Sequence, residues 1–246
     1  MSAPRLYKVL GLDGSARIGK GKWLLPRGSR PGEWMPPIEG ELVACKCGYH
    51  LCRRADLIHW IGPAIYEAEY RGERIETDDK IVVREARLVR TIETWNEKTA
   101  RLFACDCAER ALKHYERKYP NDDRPRKAIE IARRFARGEA TKKELLAAAY
   151  DAAYANAAAY DAAYDAAYAN AAARAAAAAY AAARAAAYAY AADDAAYAAY
   201  AASAASAAAY AASAAAYATR TAASDAERKW QTEHLFEYLD AEVVQI

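Results

Sequence analysis

Four residues of types that commonly bind zinc lie within one short segment of the chain, CKCGYHLC. They are Cys45, Cys47, His50 and Cys52. Zinc sites use thiolate and imidazole ligands but usually pair two separated knuckles, and this spacing is tighter than that. Cys105 and Cys107 are available as a second half, although two helical residues at this spacing point about 160° apart. The segment is therefore either a zinc site or a buried turn in which thiols pack as small apolar groups.

Acid–base and phosphate chemistry are the other possibilities in the first third of the chain. His50 and His59 lie near three carboxylates in the sequence, Asp56, Glu67 and Glu69. These residue types allow proton transfer without specifying a reaction. The segment GLDGSARIGKGK is glycine-rich and basic, which suits a phosphate, but it lacks the P-loop spacing. No GxGxxG, GxSxG or HExxH motif occurs in the sequence.

Glycine and proline divide the chain into two parts. All 11 Gly and all 8 Pro lie at or before Gly138. Residues 1–92 are predicted to form a small, mostly antiparallel β-rich module with strands in RLYKVLGL, AIYEAEYRG and KIVVREARLVRTI and a short helix or turn in RADLIHWIG. Residues 93–246 are predicted to be helical, because they are rich in alanine, the best helix former. The predicted fold class is α+β, with a β-rich module followed by an all-α, alanine-rich multi-helix bundle.

Capping residues predict where the helices begin and end. Thr94 and Glu97 have the spacing of a capping box, as do Thr141 and Glu144. Gly138 is predicted to cap the C-terminus of the helix between these boxes. The alanine-rich run is too long for one straight helix in a compact domain, since roughly 75 residues would exceed 100 Å. It is expected to fold back at residues 170–174 and 193–194, where cap-forming polar residues occur.

Tyrosine supplies most of the large side chains in the helical part. The chain has 19 Tyr and only 3 Phe. The tyrosines from Tyr150 to Tyr168 fall within about 120° on a helical wheel, which predicts a buried stripe in which tyrosine replaces leucine. The later tyrosines do not share one stripe, so some of them are predicted to form a binding surface. The candidates are Tyr180, Tyr188, Tyr190, Tyr197 and Tyr200.

Charge and cysteine content limit the class of protein. The net charge of +2 favours neither nucleic acid nor an anionic membrane as partner, although the first 141 residues are basic and the remainder acidic. No segment has the apolar character of a signal peptide or a membrane span. Five cysteines, an odd number, fit a reducing compartment better than a disulfide framework. A cytoplasmic location is therefore expected.

The segment RLFACDCAERALKHYERKYPNDDRPRKAIEIARRFARGEA resembles a bacterial and phage family of immunity proteins. The shared motifs are C-A-E-R, D-D-R-P-R, A-I-E, A-R-G-E and a late ER-x-W-Q-x-E-H-L, here residues 107–110, 122–126, 128–130, 136–139 and 227–235. The resemblance covers most of residues 95–238. Residues 1–92 resemble a phage-associated module of unknown function marked by a G-F/Y-H-x-C turn, here Gly48 to Cys52. The resemblance implies toxin neutralisation or a role in phage–host conflict.

Two functions from different classes follow. The first is a non-catalytic immunity or anti-defence factor that sequesters a protein toxin or effector, or a nucleotide-type ligand. In the nucleotide variant, Arg124 and Arg126 hold phosphate and tyrosines stack on bases; the alternative role for these arginines is capping and local ion pairing. The second is an enzyme acting on nucleotides or nucleic acid, with its site around His50. A purely structural helical protein is a third possibility. No cofactor is predicted other than the zinc alternative.

Overall fold

The computed structural model describes residues 5–16, 18–19, 21–161 and 222–241. The chain separates into two compact units. The described part of the first is residues 5–95, and that of the second is residues 96–161 and 222–241. No helix among these residues is long and apolar enough to cross a membrane.

The N-terminal unit is built on an antiparallel sheet. Its strands are β1 (Leu6–Leu10), β2 (Tyr49–Leu51), β3 (Ala64–Glu76) and β4 (Ile81–Thr91), in the order β1-β3-β4-β2. A short 3-10 helix spans Leu57–His59. The three predicted strands and the predicted turn are confirmed. Strand β2 lies in the Cys/His segment, for which the sequence indicated only a turn.

A backbone pair brings the two edges of this sheet together. Tyr7 on β1 and Cys52, which follows β2, exchange N–H···O bonds of 2.8 Å in both directions. The strand order therefore closes on itself as a small barrel-like sheet. Because of this closure, residues near position 8 and residues near position 50 are neighbours, although more than 40 positions separate them.

Gly48 precedes β2 because no other residue fits there. Its φ is 133°, a conformation that side chains rarely adopt, and a Cβ at this position would lie 2.3 Å from Val82 Cγ1. The glycine thus lets the Cys/His segment approach β4 closely. It is also the first residue of the G-F/Y-H-x-C turn.

The second unit consists of helices over its described residues. They are α1 (Glu97–Lys118), α2 (Arg124–Ala136), α3 (Lys142–Asp161) and α4 (Ala222–Leu239). The α+β prediction is thereby confirmed in its coarse form. Most of the alanine-rich segment, including the predicted turns at residues 170–174 and 193–194, lies outside the described residues.

Two of the three predicted caps are confirmed. Thr141 and Glu144 form a reciprocal box, with the Thr141 N–H donating to Glu144 Oε2 at 2.7 Å. Gly138 has a φ of 80°, and the N–H groups of Gly138 and Glu139 donate to the carbonyls of Phe135 and Arg134, which completes a Schellman motif.

The first predicted cap was wrong by two residues. The N-cap of α1 is Asn96, whose side chain accepts from the N–H groups of Lys98 and Thr99, and Thr99 completes the box. Trp95, which immediately precedes this cap, is buried in the N-terminal unit and donates from Nε1 to Gly62 O at 2.8 Å. The chain therefore leaves the first unit at Trp95, and the helix begins after the next residue able to cap it.

Helix α1 is buried on opposite sides. Cys105 and Cys107 are both fully buried, although their spacing directs them to different faces. Charged groups of α2 and α1 surround Cys105, including Arg133, whereas Glu227 of α4 lies near Cys107. The two thiols thus fill opposite sides of one central helix, which rules out a shared metal ion there.

The prediction of a buried tyrosine stripe was wrong for its first two members. Tyr150 and Tyr154 are 67% and 68% exposed. The face of α3 that packs consists of Leu145 and small residues, namely Ala148, Ala149 and Ala152. Alanine allows close helix approach, so the tyrosines point outward. Tyr164 and Tyr168 lie outside the described residues.

Replacing Tyr154 by alanine is therefore expected to change the free energy of unfolding by no more than about 0.5 kcal/mol, as for other surface substitutions. Leu145→Ala on the same helix is the matched control, because Leu145 is fully buried and its loss should cost about 2–5 kcal/mol. Thermal melts followed by circular dichroism compare the two. A Tyr154→Ala melt as early as that of Leu145→Ala would mean that the tyrosine is part of the core.

Candidate functional site

The four candidate zinc ligands do not converge in the structure. Cys45 is exposed, and its backbone N–H donates to Nε2 of His50 at 2.9 Å. Cys47 Sγ faces the carbonyl of Glu39, and Cys52 is buried beside β1. Among the described residues, no group of three His, Cys, Asp or Glu side chains is arranged to hold a metal ion. The described side chains therefore do not assemble the predicted zinc site, and Cys52 is the only one of its three cysteines that is buried, as the alternative of a buried turn requires.

The chemistry of Cys52 and His50 agrees with that conclusion. Burial raises the pKa of the Cys52 thiol to about 12, so the thiolate that a metal or a substrate would require is disfavoured. Burial, together with the positive charges of Lys8 and Lys80, lowers the pKa of His50 below its ordinary value. A neutral imidazole that accepts at Nε2 from Cys45 has one nitrogen already occupied.

The Cys/His segment forms one wall of a cavity of about 390 Å³ within the N-terminal unit. The opposite wall comes from the glycine-rich segment, including Gly19 and Gly21. The structure therefore brings together two segments that the sequence singled out separately. The aromatic residues of the lining are Trp23, Tyr49 and Trp60, and its cations are Lys8, Lys46 and Lys80.

Lys8 is fixed at the cavity wall by a hydrogen bond and by an aromatic ring. Its Nζ donates to the carbonyl of His50 at 2.9 Å and lies 4.8 Å from the centre of the Trp23 ring. Burial lowers its pKa to about 8. The amino group thus remains mostly protonated at neutral pH, although burial destabilises its charged form. A nearby anion would offset that desolvation penalty.

Lys80 is held in place by its neighbours. Its Nζ lies 2.8 Å from Asp79 Oδ1 and 4.8 Å from the centre of the Trp60 ring. The indole N–H of Trp60 donates to the carbonyl of Asp79 at 3.0 Å. The hydrogen bond from Lys80 lowers the pKa of Asp79, so this pair is ionised on both sides at neutral pH. Lys80 and Trp60 therefore form one fixed corner of the cavity.

The carboxylates suggested as acid–base partners of His50 lie elsewhere. Asp56 accepts from Arg53 Nε at 2.6 Å, Glu67 is paired with Arg90, and Glu69 is paired with Arg87. No Asp or Glu is among the described residues that line the cavity. The arrangement provides cations and aromatic rings around His50 rather than an acid–base pair.

Sequence reasoning missed Lys8, Lys80, Trp23 and Trp60. One signal for Lys8 was present, because it lies two positions from both Leu6 and Leu10 in a strand. Side chains alternate between the faces of a sheet, so Lys8 shares the face of two core leucines. A lysine in that position indicates a buried charge with a specific role.

In the helical unit, the family-like motifs contact one another. Arg110 of α1 forms a bidentate pair with Glu227 of α4, at 2.7 to 2.9 Å, and its guanidinium lies 4.0 Å from the centre of the Trp230 ring. Arg133 of α2 donates to Glu109 Oε2 at 2.6 Å. These residues join three helices, so their side chains have a structural role.

Asp106 of α1 is the second junction of this network. It accepts from Arg133 Nη2 at 2.6 Å and from the hydroxyl of Tyr238 at 2.7 Å, and His234 Nε2 lies 2.8 Å away. The other ring nitrogen of His234 lies 2.7 Å from Glu237 Oε2. Asp106 therefore links α1 to both α2 and α4.

The two arginines proposed as phosphate ligands are engaged in local ion pairs. Arg124 donates to both oxygens of Asp122, at 2.8 and 2.5 Å, and holds the pKa of that carboxyl at about 2. Arg126 donates to Glu116 at 2.6 Å. This geometry matches the capping and ion-pair alternative for both residues. The other binding candidates, from Tyr180 to Tyr200, lie outside the described residues.

Arg126→Ala is expected to change the free energy of unfolding by less than about 1 kcal/mol, because its pair with Glu116 is largely exposed. It should also leave partner or ligand binding unchanged. Thermal melting and a binding measurement on the same preparation check both points. Loss of binding with unchanged melting would restore Arg126 as a ligand contact.

The fold and its contacts define an α+β protein whose helical unit is tied together by its own sequence motifs. The family model described as "Imm-5 like putative immunity protein" matches residues 90–238. The match spans more than half of the chain, and the chain belongs to this family, which confirms the resemblance of residues 95–238. Membership indicates an immunity-type role and a protein partner such as a toxin. No curated protein matches the chain. No solved structure matches it either.

Proposed function

We propose that this protein is a non-catalytic immunity factor that neutralises a toxin or effector protein by binding it through its helical unit. The observation that carries the proposal is an exposed stripe on α3, formed by Leu146, Tyr150 and Tyr154. These residues are four positions apart and therefore lie on one side of the helix. Tyrosine provides contact area at a low cost in conformational entropy, as in other binding surfaces.

The ion pairs of the helical unit support a role in binding rather than in catalysis. The charged groups of Arg110, Arg133 and Asp106 form hydrogen bonds with partners on neighbouring helices. Their pairing leaves them to stabilise the scaffold. The stripe, by contrast, consists of side chains that a protein partner can cover.

Charge does not select the sign of the partner. The helical unit, residues 96–241, contains 19 Lys and Arg and 19 Asp and Glu, a net charge of 0. The exposed tyrosine stripe, and not electrostatic attraction, therefore carries the proposal of a protein partner.

The wider setting follows from the same proposal. All five cysteines are free, and three of them are buried, which fits a reducing bacterial cytoplasm. We also propose that the protein acts in phage–host or toxin–immunity conflict. Its domains in this proposal are residues 1–92 and residues 93–246, and the alanine-rich segment completes the helical bundle of the second domain.

The test uses the full-length chain and a Tyr150→Ala/Tyr154→Ala variant. The wild-type chain is expected to retain a toxin or effector protein from bacterial lysate, to bind it in purified form, and to inhibit its toxic activity. The double variant should melt like the wild type and lose this binding, as hot-spot tyrosines do. Lys229→Ala, an exposed change on α4, is the control that should bind normally. Equal binding by the double variant would contradict the proposal.

A further inference from the structure

The cavity of the N-terminal unit is lined by three lysines, of which only Lys80 has a carboxylate partner among the described residues. Lys8, Lys46 and Lys80 line it, whereas Asp and Glu are missing from its described lining. Lys80 has Asp79 as partner, but the described residues provide no ion pair for Lys8 or Lys46. Lys46 is exposed, whereas Lys8 is partly buried, and an ion that is removed from water without a counter-ion is costly. An anion from outside the chain would complete this arrangement.

The anion would lie nearest to Lys8. This side chain emerges from β1 among core residues, and its hydrogen bond to the His50 carbonyl fixes the ammonium at the cavity wall. Burial has lowered its pKa to about 8, and an adjacent negative charge would raise the pKa again. The ammonium group of Lys8 is therefore preorganised to bind an anionic group.

The rest of the cavity suits a planar ring. Tyr49 and Trp60 supply aromatic surface, and Trp23, which is only 5% exposed, contacts Tyr49 edge to face at 5.3 Å between ring centres. The volume of about 390 Å³ lies at the lower end of the range for small-molecule sites, which suits a ligand with one ring system and one phosphate. An apolar, aromatic wall with a few convergent polar groups is the usual composition of such a site.

We propose that this cavity binds a small phosphorylated aromatic molecule of the nucleoside monophosphate class, with the phosphate near Lys8 and Lys46 and the base against the tryptophan-lined wall. The cavity belongs to the first unit, so nucleotide binding there does not depend on toxin binding by the helices.

Isothermal titration of the full-length protein tests the site. AMP, GMP, CMP and UMP are the probes, adenosine tests the ring without the phosphate, and inorganic phosphate tests the anion without the ring. At least one nucleotide should bind saturably below about 1 mM, and about ten-fold more tightly than either fragment. Phosphate as tight as every nucleotide, or no saturable binding by any of the four, would overturn the proposal.

Variants assign the binding to Lys8. Lys8→Met should weaken nucleotide binding by about ten-fold or more, whereas Lys22→Met, an exposed lysine of the same unit paired with Asp13, should leave it unchanged. Lys46→Met provides a second measurement if Lys8→Met does not fold, because Lys46 is exposed and a weaker effect of the same sign is expected. Unchanged binding in both Lys8→Met and Lys46→Met would refute the assignment.

The pH dependence has a defined sign. Bound phosphate favours the protonated amine, so affinity should fall as pH rises above about 8, where free Lys8 loses its proton. Lys8→Met should remove most of this decline. An affinity that is flat between pH 7 and 9 would show that Lys8 does not contact the anion.

Discussion

Arg110→Met is expected to lower the free energy of unfolding of the helical unit by about 3 kcal/mol. Glu227 is only 4% exposed, and Arg110 supplies three N–H···O contacts of 2.7 to 2.9 Å to its carboxylate. The variant leaves that carboxylate buried with only the weak 3.4 Å contact from Gln231. It also removes the cation from the face of Trp230. Urea unfolding followed by the helical circular dichroism signal measures the loss.

A matched pair on α4 provides the control. Lys229 and Glu233 also form an ion pair, but their side chains are 77% and 61% exposed. Lys229→Met should therefore change stability by no more than about 0.5 kcal/mol. Arg110→Met/Glu227→Met should recover most of the loss, because no charge is then left buried without a partner. Equal effects of Arg110→Met and Lys229→Met would mean that Arg110 has no special part in holding α4.

The features predictable from the sequence were those that depend on neighbouring residues. Thr141 with Glu144 and Gly138 define helix ends through backbone contacts within a few positions. The strands followed from alternation and β-branched residues in the same way. The cap at Asn96 was missed because Thr94 is an equally good cap by type. The choice between them is made by Trp95, whose indole is bound to Gly62 33 positions earlier.

The cavity depends on contacts that no local pattern contains. Lys8 reaches the carbonyl of His50 only because the sheet closes between Tyr7 and Cys52. The Cys/His segment was the clearest candidate for a metal site in the sequence, but its side chains do not converge in the structure. Its His50 contributes to the site mainly through its backbone, which a sequence motif does not reveal.

The tyrosine stripe was assigned to the wrong face for a physical reason. A helical wheel of α3 shows apolar residues on every side, since alanine and tyrosine both count as hydrophobic. Because the tyrosine side chain is much larger than that of alanine, tyrosine was predicted to fill the core. In the structure Ala148, Ala149 and Ala152 are buried instead, because small side chains allow α3 to pack closely. Periodicity identifies a stripe, but it does not decide which stripe is buried when both are apolar.

The helical unit is expected to lose stability steeply between pH 9 and pH 11. Burial raises the pKa of Cys105 to about 12, and that of Cys107 well above its ordinary value. In the unfolded chain these thiols lose their protons near pH 9, so the stability present below pH 9 is lost as the pH rises towards the folded pKa. By pH 11 the loss is about 2–3 kcal/mol for Cys105, and Cys107 adds to it. Urea unfolding at a series of pH values measures the decline.

The variant Cys105→Ala/Cys107→Ala separates this effect from other alkaline transitions. It should be somewhat less stable at pH 7, because two buried side chains become smaller, yet its stability should fall less between pH 9 and pH 11. Burial and hydrogen bonds to carboxylates also raise the pKa of Tyr238 and Tyr115, so some decline above pH 10 should remain. Cys45→Ala, which removes an exposed thiol, should follow the wild-type profile. Parallel profiles for the wild type and the double variant would show that the two thiols are accessible to solvent, and that α1 is not buried on both of its sides.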